Sequence, residues 1–363
     1  MFEHDDRVVM TLDAGGTNFV FSAIAKGEEV VRPITIPSVP DDSLACLERI
    51  AEGFRKVKAE SPVEPSAISF AFPGPADYAH GIIGDLPNFP GFRGGVPMGP
   101  YLESVFNIPV YINNDGNLFA FGEALCGILP EINASLEKAG SKKRYKNLLG
   151  ITLGTGFGAG VVTDGRLLTG DNGCGGDVWL MRHPTEPELI VEEGVSIRAV
   201  TRSYKLLSGD ESSLTPKDIF EIAKGLRPGN IPAAKESFAS LGRCAAHGIV
   251  HALDIVDGIV VIGGGLSGAS EFFLPPMIEE MRRKVSTRAG ASFPCLEMDV
   301  YNLTDPNERA AFLKDETTLI DVPGSGEKVL YETVRKTGVA ISNLGASRAI
   351  ALGAYAYSIS MMS

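Results

Sequence analysis

The chain has 363 residues, 44% of them hydrophobic and 21% charged, a composition that belongs to folded globular proteins and excludes a disordered chain. Its length predicts two domains rather than one core. A formal net charge of −12 argues against a nucleic-acid surface, which needs clustered Lys and Arg, and no apolar run approaches the length of a membrane span.

Short apolar runs alternate with helix-like stretches, the pattern of an α/β protein. The opening "MFEHDDRVVM" is acidic and lacks the basic flank and apolar core of a signal peptide. Strands are expected at 8–13 and 19–25 around the turn "DAGGTN", followed by a helix at 42–59, a strand at 66–71 and a helix at 98–106. A strand at 109–112 and a helix at 117–126 flank "NNDGN". The charged stretch 129–146, "LPEINASLEKAGSKKRYK", is expected to be a short solvated helix and loop. Strands at 147–153 and 158–163 flank a second Gly-Thr turn, and a helix at 234–254, a strand at 258–262, a helix at 270–285 and a strand at 296–301 follow. The polar segment 304–338 is expected to be an insertion, before a closing helix at 346–358. Five cysteines, at 46, 126, 174, 244 and 295, stand far apart with no C-x-x-C pair, which suits free thiols in a reducing cytoplasm and offers no zinc-site spacing.

An internal echo gives this pattern direction. "VVMTLDAGGTNFVFSAIAKGEEV" and "LLGITLGTGFGAGVVTDGRLLTG" each hold an apolar strand, a turn rich in Gly and Thr, a second apolar strand and a polar turn. Each copy would open its own domain, and the two turns could face one another across a cleft. One such turn alone is also what an ordinary hairpin needs. Two of them offer what a triphosphate requires: backbone N–H groups that glycine leaves approachable, and the hydroxyls of Thr17 and Thr155. Asp13, at a strand end, offers Mg²⁺ a hard oxygen ligand, usually through water. The Walker arrangement is excluded because the dipeptide Gly-Lys never occurs.

Two further stretches carry chemistry. In "IVVIGGGLSGASEFF", Gly263, Gly265 and Gly268 spell G-x-G-x-x-G between a strand and a helix, which admits a nicotinamide or flavin oxidoreductase. The acidic residues that would hold a ribose, Glu297 and Asp299, lie too far on for that fingerprint. In "NNDGN", Asp115 is a candidate general base at a strand end, and the plainer alternative is that Asp115 or Asn117 caps the helix.

Together these segments resemble the ROK family of sugar kinases, relatives of hexokinase and actin, over nearly the whole chain. "DAGGTN" and "LGTGFGAG" resemble the two phosphate motifs, "AFPGPAD" with "GIIGDLPNFPGF" the segment leading to the sugar, "NNDGN" the catalytic loop, "VIGGGLS" the adenosine turn and "SRAIALGAYAYS" the closing helix. The resemblance implies a two-domain α/β fold of the ribonuclease H-like, actin-like ATPase kind, divided into 1–116 with helix 346–363, and 117–345 carrying the insertion. It implies ATP-dependent phosphorylation of a hexose, glucose first, with Asp115 as general base, and closure of the two domains to exclude water. ATP would meet Asp13, Gly15, Gly16, Thr17 and Asn18, then Gly154, Thr155 and Gly156, then Gly263, Gly264 and Gly265. Mg²⁺ would be held near Asp13. The sugar would meet Asn88, Asn114, Asp177 and Glu192, with Glu193 the alternative to Glu192. N-acetylhexosamine, mannose or fructose are alternative substrates. The family's sugar-responsive repressors are a remote alternative, because the first phosphate motif begins at Asp13 and leaves no room for a DNA-binding region ahead of it. In one respect the chain departs from the family. Around "GDNGCGGDVWLMRHPTEPELIVEEGVS" only Cys174 and His183 offer metal ligands, so no zinc is expected, and Asp177 stands where a sugar-binding Glu usually falls. A homodimer is the expected assembly.

Overall fold

A computed structural model of the protein describes residues 5–15, 17–86 and 89–363; the expectations placed on Gly16 and Asn88 lie outside the described residues. Two compact units emerge, one made of Met1–Gly127, Arg166–Gly176 and Leu344–Ser363, the other of Ile128–Gly165 and Asp177–Asn343.

In the first unit, β1 (Val9–Ala14), β2 (Asn18–Ala25) and β3 (Glu28–Pro37) form an antiparallel meander. β4 (Ala67–Ala71) and β5 (Val110–Asn113) add in parallel, giving the order β3–β2–β1–β4–β5. Val9, Met10, Thr11 and Leu12 are all buried, so β1 reads as a continuous apolar run rather than an alternating one. Helix α1 (Ser43–Glu60) starts at Asp42, whose carboxylate accepts from the N–H groups of Leu44 and Ala45. Its Gly53 lets it lie close on β2, since a Cβ there would stand 2.3 Å from the Phe21 ring. α2 (Met98–Phe106) completes one side of the core, in which Phe21, Phe54, Phe70, Phe72 and Phe92 meet edge to face or tilted.

Helix α3 (Asp115–Leu125) lies against the C-terminal helix (Ala346–Met361) with almost no room between the two backbones. A Cβ at Gly353 would stand 1.8 Å from the Leu118 carbonyl, and one at Gly122 would stand 2.0 Å from the Ala349 carbonyl. The expected division after residue 116 therefore falls inside a helix that belongs wholly to the first unit.

The second unit repeats the plan. β6 (Leu148–Leu153) and β7 (Phe157–Thr163) are antiparallel, and β8 (Ile259–Gly263) runs parallel to β6. With β9 (Asp299–Asn302) and β10 (Lys336–Ile341), five strands lie in the order β7–β6–β8–β10–β9. The echo seen in the sequence is thus two sheets of like topology. The unit begins with helix α4 (Ile128–Lys138), and long helix α7 (Ile231–Val256) packs on the core with α5 (Ile197–Ser208), α6 (Pro216–Ala223) and α8 (Ser270–Met281).

The polar segment 304–338 is not one excursion. It contains a helix at Pro306–Leu313, a hairpin of Thr317–Asp321 with Lys328–Glu332, and the start of β10. Lys336 and Thr337 are buried in that strand because their polar groups are satisfied: the Lys336 ammonium donates to the carbonyls of Ala311 and Lys314, and the Thr337 hydroxyl to that of Gly258. Among the described residues no helix is long and apolar enough to cross a membrane.

Candidate active site

The parallel strands β1, β4 and β5 end at one edge of the first sheet, the edge where open α/β sheets place their ligands. Asp13 leaves the core there with its side chain exposed, directly after buried Leu12. The turn behind it is closed by Gly15 N–H donating to the Asn18 carbonyl at 3.0 Å. A Cβ on Gly15 would stand 2.8 Å from that same carbonyl oxygen, so the turn itself calls for glycine. Thr17 and Asn18 are exposed beside it.

Asp115 sits at the same edge two strands away, about 10 Å at the usual strand spacing. Neither Asp115 nor Asn117 caps α3. The cap is Asn114, whose Oδ1 accepts from the Asn117 backbone N–H at 2.6 Å, so only its Nδ2 donors remain for a ligand. Behind it, buried Asn113 accepts from the Asn114 N–H and from the Asn117 side chain, both at 2.9 Å, which fixes the strand-to-helix junction. The Asp115 carboxylate accepts from the Gly116 N–H at 2.9 Å. Its side chain is reached by solvent, while the protein around it still desolvates it in part. That desolvation raises its pKa above the ordinary 3.8 and outweighs the backbone hydrogen bonds that lower it.

In the second unit three segments meet at the end of β6. The turn Gly154–Gly156 is closed by Gly154 N–H donating to the Gly156 carbonyl at 3.1 Å, and Thr155 at its tip is exposed. The glycine run after β8 tucks against it: Leu266 N–H donates to the Leu153 carbonyl at 3.0 Å. Gly264, at φ +92°, leaves no space for a Cβ, which would stand 2.3 Å from that carbonyl. Gly265 faces open space. The third segment is the 3₁₀ turn Val191–Gly194 with the start of α5, where Ile197 N–H donates to the Gly154 carbonyl at 2.9 Å. The structure thus brings together Gly154–Gly156, Gly263–Gly265 and Glu192.

Glu192 is tied into that assembly. Its Oε2 accepts from the Phe157 N–H at 2.9 Å, and its Oε1 from Arg198 at 3.2 Å. Glu193 turns instead to Arg202 at 2.8 Å, and that guanidinium holds its carboxyl below the usual range. Asp177 stands before the 3₁₀ turn Val178–Leu180, half-buried and without a capping bond from its side chain. From there the chain pairs back through Arg182 with Ile190, which places Asp177 and Glu192 on neighbouring segments. His183 Nδ1 accepts from the Glu186 N–H at 3.2 Å, while Cys174 lies on an exposed loop of the first unit. Among the described residues no three His, Cys, Asp or Glu side chains gather as metal ligands.

Sequence reasoning missed Arg198, which joins Glu192, Glu193 and the Thr155 carbonyl on the second turn. The signal was present in "SIRAVTRSYKLLS": Ser196 caps α5 by accepting from the Ala199 N–H, and Arg198 follows two residues later.

The family model described as the ROK family matches residues 9–305. The crystal structure of a glucokinase from Parabacteroides distasonis is 54% identical and superimposes with a TM-score of 0.91, covering 99% of both chains. A curated glucokinase of Thermotoga maritima is 26% identical across 74% of this chain and 86% of its own length. An N-acetyl-D-glucosamine kinase of Vibrio cholerae is 28% identical across 75% of this chain and 87% of its own. The paired sheets are those of the actin-like ATPase fold, and the chain belongs to the ROK family, among its sugar kinases.

Proposed function

We propose that the protein transfers the γ-phosphate of ATP to a hydroxyl of a hexose, with glucose as the preferred acceptor. Asp115 takes the proton of the attacking hydroxyl as the oxygen moves in line on the phosphorus. The observation that carries this reading is the placement of Asp115 at the strand end, not spent on the helix cap and reachable by solvent; desolvation also raises its pKa, which makes its carboxylate a stronger base. The turns at Gly15–Asn18 and Gly154–Gly156 offer N–H groups and threonine hydroxyls to the phosphates. Asp13 fits a water-mediated ligand of Mg²⁺, being an exposed carboxylate beside the first of these turns. Mg²⁺, when bound, offsets phosphate charge. Asn88, Asn114, Asp177 and Glu192 are assigned to the sugar, whose ring of hydroxyls needs donors and acceptors once water is expelled.

N-acetylglucosamine is the second reading, because curated relatives at 28% identity carry that activity in their names. An ADP-release assay with glucose, N-acetylglucosamine, mannose and fructose tests both. Glucose should give kcat/KM at least about tenfold above the others, roughly the discrimination one well-placed contact supplies. Preference for N-acetylglucosamine selects the second reading, and no sugar-dependent ADP release removes both.

A further inference from the structure

Two sequence segments that phosphoryl transfer leaves unused, the basic run 141–146 and the polar segment after residue 304, converge on one cavity of about 270 Å³ in the second unit. In a chain of net charge −12 its lining is exceptional. Lys142, Lys143, Arg144, Lys314 and Lys336 stand against Asp315, Glu316 and Glu332, an excess of two positive charges.

The floor is rigid. Buried Tyr145 stacks on buried Phe312 with ring centroids 5.5 Å apart, and its hydroxyl donates to the Lys336 carbonyl at 2.7 Å. The Lys143 ammonium lies 5.5 Å from the centre of the Tyr145 ring. Arg144 is held by its Nη1, which donates to the carbonyls of Ser141 and Lys143, both at 2.8 Å. Lys336 is buried with its ammonium on the carbonyls of Ala311 and Lys314, and Glu316 and Asp315 on the same lining favour its charge.

The carboxylates compete weakly for these cations. Lys143 pairs with Glu332 and Lys314 with Glu316, both at 3.0 Å, and Arg144 Nη2 lies 3.6 Å from Glu137, all partly open to water. Exposed pairs of this kind are weak, so an incoming dianion can take either lysine. The Asp315 carboxylate is engaged by the Thr317 N–H at 3.0 Å. Lys142 is exposed and, among the described residues, forms no ion pair.

We propose that this cavity binds a small phosphate monoester. The dianion matches the excess charge, the exposed Lys142, Lys143 and Lys314 suit phosphate oxygens, and the Tyr145–Phe312 floor supports a compact neutral body. The volume lies at the small end of ligand sites, which restricts the body to about the size of a monosaccharide. None of these residues is assigned to ATP or sugar.

Calorimetric titration of the full chain with glucose 6-phosphate, glycerol 3-phosphate and inorganic phosphate tests it, repeated on the double variant Lys142→Glu, Lys314→Glu. Both lysines are exposed, so the variant should fold, and its melting temperature and kinase turnover should match the wild type. At least one monoester should bind saturably, more tightly than inorganic phosphate, and at least tenfold more weakly to the variant. No monoester binding, equal affinity for inorganic phosphate, or unchanged affinity in the folded variant overturns the proposal.

Discussion

Phe157 donates its backbone N–H to Glu192 Oε2 at 2.9 Å, and Gly156 next to it has no room for a side chain because a Cβ would stand 2.3 Å from the same oxygen. One carboxylate therefore both shapes the second Gly-Thr turn and is assigned to the sugar. Substitution can separate the two roles. In Glu192→Gln the amide oxygen still accepts from Phe157, so the KM for sugar should rise about tenfold or more while that for ATP changes little. In Glu192→Ala both should rise. Gly156→Ala should raise the KM for ATP, and combining it with Glu192→Ala should recover part of that loss because the clash is gone. Equal effects on sugar and ATP in Glu192→Gln would remove Glu192 from the sugar pocket.

Asp13 carries the proposed metal contact. Chelation of Mg²⁺ should abolish turnover and its return should restore it. Asp13→Asn, which keeps one oxygen but loses the charge, should shift the Mg²⁺ concentration for half-maximal rate upward by about tenfold, on the scale of one lost carboxylate ligand. A metal titration of wild type and variant measures this, and superimposable curves would free Asp13 from that role.

The raised pKa of Asp115 has two consequences of definite sign. For activity, the acid limb of kcat should lie above the ordinary carboxylate pKa of 3.8, because the protonated group cannot accept a proton. For stability, a folded pKa above the unfolded one means that ionisation costs the fold. That cost is absent below the unfolded pKa, grows as pH rises through the folded value, and is fully present at neutral pH. Asp115→Asn should then melt at the same temperature as the wild type or higher at pH 7, with the gain shrinking towards pH 3. A melting temperature lowered at pH 7 and unchanged at pH 3 would show that the fold favours the charge.

Support for α3 comes from the C-terminal helix. Gly353→Ala puts a methyl group 1.8 Å from the Leu118 carbonyl, which is backbone and cannot rotate away. The helices must part, at a cost of about 1–3 kcal/mol or more, and Asp115 moves with them. Thermal unfolding should show the loss together with reduced kcat. By contrast, Gly265→Ala, with open space at its Cβ, should leave stability nearly unchanged.

What the sequence disclosed was local. The two hairpins with Gly-Thr turns and the strand ending at Asp115 carry short-range signals, and the structure has strands at Val9–Ala14, Phe157–Thr163 and Val110–Asn113 where apolar runs stood. Elements whose signals are non-local escaped. β3, "EEVVRPITIP", is an edge strand with charges and a proline, as edges often are, and so resembled a loop. Lys336 and Thr337 looked like surface because their partners, the carbonyls of Ala311, Lys314 and Gly258, lie 22 or more residues away. Glu192 was picked out, but its grip on Phe157, 35 residues earlier, is a product of folding alone. The same holds for Arg198, whose link to Thr155 spans 43 residues.

Asp115 is proposed as the base of an ATP-dependent hexose kinase. The most direct test of this role is the steady-state turnover of Asp115→Asn with saturating ATP, Mg²⁺ and glucose, alongside calorimetric ATP binding by the same preparation. ATP affinity should stay near that of the wild type and kcat should fall by about 10²-fold or more, the scale of a lost general base. Wild-type turnover in a variant that binds ATP normally would contradict it.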